Sequence, residues 1–422
     1  MIVTFTSQCM VNFQKFQLDN GLRVLIHEDN STPMVAINIL YDVGSRDEDP
    51  EHTGFAHLFE HLMFSGSKNV ADFDAPMQLA GGENNAFTNS DITNFYDIVP
   101  ADNIEIPLWL ESDRMQGLAF DQKGFDVQKR VVVEEFKETC LNEPYGDAWH
   151  KLSALAYKKH PYQWPTIGKI PEHITNSSLG EARQFFDNHY APNNAIIVLA
   201  GQVSAEKGFD LINKWFGDIP SHSIVTRDLP IEPKQQQKNS SAVKGNIPAD
   251  AIYLGFHNGS RTHPDYYASD ILSDILGNGR SSRFYQRLYK EKNIFSRVDS
   301  YISGTADPGL FLIDGKLKDQ RTVQEGIQAI WEELEDVKKN GVTENELSKV
   351  KHKIESSLCF SEVSILNRAI SLAFFEWIGD AAMINHQQEK YQAVTTDQIK
   401  RIANETFVEE NCSELIYERL EQ

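Results

Sequence analysis

Apolar alternation begins in two short segments, residues 13–19 (FQKFQLD) and 22–29 (LRVLIHED), on either side of Asn20-Gly21. Asn-Gly readily supplies positive φ angles, so the spacing predicts a hairpin. A further strand is expected within 33–44 (PMVAINILYDVG), where Val35, Ile37 and Ile39 alternate with smaller or polar neighbours, as a sheet with one buried face requires. At 54–65 (GFAHLFEHLMFS) the period changes, and Phe55, Leu58, Phe59, Leu62 and Met63 take the spacing of a buried helix. Helices are also predicted at 104–119, around 124–141 and at 179–190, before the apolar run AIIVLAG at 195–201 reads as a strand.

Residues 219–243 are rich in Pro, Ser, Gln and Lys and have no apolar rhythm, as expected of a linker. Beyond them AIYLGFH at 251–257 is again strand-like, and amphipathic helices are predicted near 265–277 and 322–339. The expected organisation is a first domain at 1–222, a linker at 223–243 and a homologous second domain at 244–422. At 422 residues the chain is longer than one hydrophobic core usually supports. Strands and helices are mixed rather than strictly alternating, which points to the α+β class. The halves are similar in length and element order, which suggests a duplicated domain.

Sixty-one acidic against forty basic residues give a net charge of -21, which opposes binding to nucleic acid. The charge suits either a solvated surface or an acidic interior that attracts cationic peptides. No apolar run has membrane-spanning length and the first thirteen residues do not read as a signal peptide, so the expected location is the cytoplasm. Cys9, Cys140, Cys359 and Cys412 are too scattered for a disulfide framework or a thiolate metal cluster, and are expected to be reduced and structural.

The helix at 54–65 carries the candidate chemistry. His57 and His61 are four apart, so their imidazoles project from one face and can converge on a cation, with Glu60 beside them. This is an inverted His-x-x-Glu-His arrangement, in which the carboxylate acts as general base without binding the metal. Chance alone would place the pattern in about three of a hundred such chains, so it needs context. Two imidazoles make a poor zinc site, and the third ligand is sought in KRVVVEEFKE, where Glu134, Glu135 and Glu138 lie beside the apolar residues at 131–133 and Phe136. Spacing alone leaves the choice among the three open.

The hairpin, the 54–65 helix in VGSRDEDPEHTGFAHLFEHLMFSGSKN, the segment GGENNAFTNSDITNFYDIVP, and the later HPYQWPTIGKIPEHI and YAPNNAIIVLAGQV together resemble the insulinase or pitrilysin (M16) family of inverzincins, which includes the mitochondrial processing peptidases and bacterial relatives. The resemblance spans nearly the whole chain. It implies two homologous α+β domains, each a mixed sheet with helices packed on it, in a half-clamshell, and a Zn2+ peptidase that cleaves unfolded peptides in a chamber closed by two half-length subunits.

It also implies Glu135 as the third ligand, since the family's Val-x-x-Glu segment falls on 132–135, and Asn85 and Ala86 as substrate-binding residues on a sheet edge. Gln128 stands where many relatives carry a supporting glutamate. An Arg and Tyr seven apart, which reach the substrate in active relatives, are replaced by Tyr289 and Ser296, and Arg283, Arg287 and Arg297 lie near without the matching tyrosine. The implied partners are therefore a peptide and a second subunit, identical or homologous, with a homologous one supplying the Arg/Tyr pair. A non-catalytic structural or peptide-binding member of the family is the alternative.

Overall fold

The computed structural model describes residues 10–119, 121–224 and 227–420, which leaves Cys9 outside the described residues. β1 (Gln14–Gln17) and β2 (Arg23–Glu28) pair antiparallel. In the turn only Gly21 takes positive φ, at 90°. Asn20, expected to share that role, instead donates its side-chain amide to the carbonyls of Phe216 and Ile219 at 2.8 and 2.9 Å, tying the hairpin to the end of the Ala205–Phe216 helix.

β3 (Met34–Tyr41), β4 (Glu83–Thr88), β5 (Thr93–Pro100) and β6 (Ala195–Gly201) complete a six-stranded sheet ordered β1-β2-β6-β3-β5-β4. β7 (Asn239–Gly245), β8 (Ala251–His257), β9 (Phe295–Ile302), β10 (Leu310–Leu317) and β11 (Cys412–Arg419) form a second sheet ordered β7-β11-β8-β10-β9. Without β1, the two sheets have the same plan. In each, the first strand runs parallel to the last, and the last, second, fourth and third follow as antiparallel neighbours. This is the mixed α+β duplication that the element order suggested. Residues 239–243, expected as linker, belong to β7, an edge strand whose polar side chains need only backbone pairing with β11.

The single buried face expected for β3 is a misreading, because both faces are covered. Val35, Ile37 and Ile39 meet helices of their own half, whereas Ala36 and Leu40 meet Ala369, Leu372 and Ala373 of the Ile365–Ile378 helix. The Ala148–Ala156 helix makes the reciprocal contact, laying Ala148, Leu152 and Ala156 on Ala251, Leu310, Leu312 and Leu415 of the second sheet. Each fully buried leucine contributes about 1.5–3 kcal/mol, so this exchange of helices binds the halves more firmly than surface ion pairs would. Among the described residues no single helix is long and apolar enough to cross a membrane. Cys140 and Cys412 are buried, Cys359 is exposed, and all three are free thiols.

The exchanged helix also makes a titratable contact. His27 Nδ1 lies 2.6 Å from the Asn12 carbonyl and so donates to it, leaving Nε2 to accept from Arg368 at 2.9 Å, while Arg368 also pairs with Asp29 at 2.5 Å. Burial lowers the pKa of His27 below its ordinary 6.5. The folded state therefore binds fewer protons, and this contribution to stability, complete above 6.5, is lost as the pH falls through the depressed folded value. Thermal unfolding of wild type and His27→Gln across pH 7.5 to 4.5 is expected to show the wild-type midpoint falling faster on acidification.

Candidate metal centre

The Phe55–Phe64 helix starts at Gly54, whose φ of 93° suits glycine and where a Cβ would come within 2.9 Å of the Ile167 carbonyl. Its first free N–H groups, at Gly54 and Ala56, are capped from outside the helix by the buried Glu48 carboxylate at 2.8 and 2.9 Å. Trp164 Nε1 donates to the same carboxylate at 3.1 Å. Burial nonetheless pushes the Glu48 pKa up to about 8. Phe55, Leu58, Phe59, Leu62 and Met63 are buried in the core, which turns His57, Glu60 and His61 to the opposite, partly open side.

Glu135 arrives on the Gln122–Phe136 helix, anchored on either side by buried Val132 and Phe136. Its Oε2 lies 3.3 Å from Nε2 of both His57 and His61. Glu134 points away, pairing with Lys137 at 2.6 Å, and Glu138 is exposed. Of the three carboxylates that spacing left open, Glu135 is the one brought to the histidines, and with them it forms a group able to hold a metal ion. The imidazoles of His57 and then His61 hold its carboxyl far below the usual carboxylate range. For tetrahedral zinc with bonds of about 2.0–2.2 Å, neighbouring ligand atoms are separated by about 3.3–3.5 Å. The observed separations fit.

Glu60 stands beside this group rather than in it, with Oε2 4.0 Å from His57 Nδ1. The Thr88 hydroxyl donates to the same oxygen at 2.6 Å. Thr88 ends β4, the edge strand of the first sheet, so one contact ties the carboxylate beside the metal group to the sheet edge. On that strand Asn85 is exposed, and its side chain accepts the Ala86 N–H at 2.8 Å. Thr88 and Glu48 escaped the sequence reading. Thr88 closes the noted Asn-Ala-Phe-Thr segment, but nothing local marks Glu48 as a cap.

In the second half, Tyr289 stacks on Tyr285 with ring centroids 4.9 Å apart, and Ser296 donates to the Lys316 carbonyl at 3.0 Å. The neighbouring arginines are committed. Arg283 pairs with Asp336 and Glu346 at 3.0 and 2.7 Å, Arg287 with Glu333 and Asp336 at 2.6 and 2.9 Å, and Arg297 with Asp299 at 2.5 Å.

Comparison with known proteins extends these observations. Residues 23–169 match the model described as insulinase (peptidase family M16), and residues 177–354 match that of the peptidase M16 inactive domain. The chain belongs to the M16 family. Among M16 relatives it is 30% identical over 399 residues to the zinc protease PqqE of Helicobacter pylori, covering 92% of this chain and 89% of that one. It is 26% identical over 407 residues to the uncharacterized zinc protease YmxG of Bacillus subtilis, covering 96% and 98%. The crystal structure of a protease from Helicobacter pylori superposes with a TM-score of 0.91 at 28% identity, covering 97% of this chain and all of that one. Pitrilysin shares the fold, with a TM-score of 0.78 at 15% identity over 96% of this M16 chain but 44% of its own. His57, Glu60, His61 and Glu135 all fall within the first matched segment.

Proposed function

We propose that this M16 chain is a zinc-dependent metalloendopeptidase that cleaves unfolded peptides, with His57, His61 and Glu135 as metal ligands and Glu60 as general base. The observation that carries the reading is the convergence of two imidazoles and one carboxylate at 3.3 Å, with a second carboxylate alongside. Bound there, zinc would supply a Lewis acid and lower the pKa of a ligated water to about 7. Glu60, oriented by Thr88, takes a proton from the attacking water and passes it to the departing amine. The free edge of β4 at Asn85 and Ala86 receives the peptide as an added strand, which reads backbone more than side chain. The Ala86 N–H, held by the Asn85 side chain, is released to the substrate when that strand docks.

In this reading residues 1–222 carry the chemistry and the second half, with Arg283, Arg287 and Arg297 each paired to a carboxylate of the same chain, is structural. A homologous second subunit closes the chamber and supplies the Arg/Tyr pair. The test is metal analysis together with peptide cleavage. About one zinc per chain is expected, and Glu135→Ala should weaken zinc binding at least a hundredfold, since even partners behind the ligands are typically worth about ten- to a hundredfold. Loss of zinc from Glu134→Ala or Glu138→Ala but not from Glu135→Ala would overturn the ligand assignment.

The committed arginines also favour a second reading, a family member that binds peptides without cutting them. A zinc-loaded chain that cleaves no peptide, alone or with homologous subunits, would establish it.

A further inference from the structure

Because the two sheets share one plan, the metal helix can be followed into the second half. The Tyr266–Gly277 helix comes after β8 as the Phe55–Phe64 helix comes after β3. Laid with Ala268 on Phe55, the two helices match position by position: every buried residue from Phe55 to Met63 falls on a buried residue between Ala268 and Leu276. On the opposite, partly open side Asp270 and Asp274 then fall on His57 and His61, four apart and on one face. Buried Ser273 falls on Glu60.

Glu135 has a counterpart as well. The Glu344–Ser361 helix is the second α-helix after β10, as the Gln122–Phe136 helix is the second after β5. Val350 is buried like Val132, and three residues beyond it Lys353 stands where the first half has Glu135. The Lys353 ammonium lies 3.2 Å from the Asp274 carboxylate, and its charge also acts on Asp270. Arg261 acts on Asp270 too, but its guanidinium is stacked 4.0 Å from the centre of the Tyr266 ring. The carboxylates are further held by hydrogen bonds, Asp270 from the Tyr391 hydroxyl and Asp274 from the Asn278 amide, both at 2.6 Å. Among the described residues, the group of His57, His61 and Glu135 has no metal-binding equivalent in the second half.

We propose that Asp270, Asp274 and Lys353 are the metal centre's counterpart with its charges exchanged: carboxylates stand at the imidazole positions, and the Lys353 ammonium is the built-in cation that joins the two helices where the first half would use a metal. The second half is thus closed to metal ions because a cation already fills the place, not because ligands are lacking. Ser273, whose hydroxyl donates to the Asp270 carbonyl at 2.8 Å, also leaves it without a general base. The proposal rests on the duplicated plan and not on the peptidase reading.

Once the lysine charge is removed, the two aspartates are expected to take an external cation. Calcium is the probe, because it is bound by carboxylate oxygen whereas zinc is held by imidazole, so the zinc-loaded chain can be used throughout. In calorimetric titrations Lys353→Glu, which adds a third carboxylate, is expected to bind one Ca2+ on the order of tenfold tighter than any site of the wild type. Adding Asp274→Asn should abolish that gain. Thermal melting gives a second measure. Lys353→Met leaves the carboxylates without their cation and should lower the midpoint, and Asp274→Asn, destabilising in the wild type, should raise the midpoint in that variant. This measure decides alone if Lys353→Glu does not fold. Equal calcium binding by folded Lys353→Glu and wild type, a gain that survives Asp274→Asn, or a further fall in midpoint when Asp274→Asn is added to Lys353→Met overturns the proposal. None of these outcomes depends on peptide cleavage.

Discussion

Glu60→Gln is expected to keep its zinc and its fold while peptide cleavage falls about a hundred- to ten-thousand-fold, the usual contribution of a positioned general base. Glutamine has the same shape and retains a carbonyl oxygen for the Thr88 hydroxyl, which now lies 2.6 Å from the carboxylate. It cannot take a proton. Because Glu60 lies outside the group formed by His57, His61 and Glu135, the substitution removes none of the three candidate ligand atoms. Metal content by elemental analysis, thermal melting and the rate on an unstructured fluorogenic peptide are the measurements. Wild-type turnover by the zinc-loaded variant would remove Glu60 from the mechanism.

The second large effect concerns assembly. As the peptide bond is attacked, negative charge grows on its carbonyl oxygen, and a missing donor to that oxygen typically costs about a hundred- to a thousandfold in turnover. The family resemblance puts Tyr289 and Ser296 where active relatives are expected to carry arginine and tyrosine, Arg283 and Arg287 are held in ion pairs with Asp336, Glu346 and Glu333, and Arg297 pairs with Asp299 at the surface. Freeing Arg283 would leave the carboxylates around it without their cation, a costly change in a buried setting. An identical partner cannot restore what neither copy has. The chain alone is therefore expected to be a weak peptidase, and a homologous subunit carrying the Arg/Tyr pair should raise its turnover by about two to three orders of magnitude. Assays of the chain alone and mixed with such subunits test this, and full turnover by the isolated chain would overturn it.

Much of the fold was legible because it is written in local periodicity. The switch from alternation to helical spacing at Gly54, the apolar run of β6 and the helices near 105, 179, 266 and 323 all follow from which side chains share a face. The i, i+4 spacing likewise puts His57 and His61 on one side of a helix without any knowledge of the rest of the molecule, and their rings lie 4.9 Å apart. Edge strands were harder. β7 is polar, since an edge strand is held by backbone pairing to one neighbour, and its composition resembles that of a linker.

What the sequence determined by itself, then, was the α+β class with its suggested duplication, the strongly periodic elements, and the helix face that carries the two histidines. Residue spacing left Glu134, Glu135 and Glu138 open and only the family resemblance pointed to Glu135, whereas tertiary structure alone decided that Thr88 holds Glu60, that Glu48 caps the histidine helix, and that the second face of β3 is covered by a helix more than three hundred residues away. The reason is physical. Periodicity records how a segment divides its own side chains between two environments, whereas these contacts depend on which distant segment fills the other side, and that is settled only when the two halves exchange helices and pack.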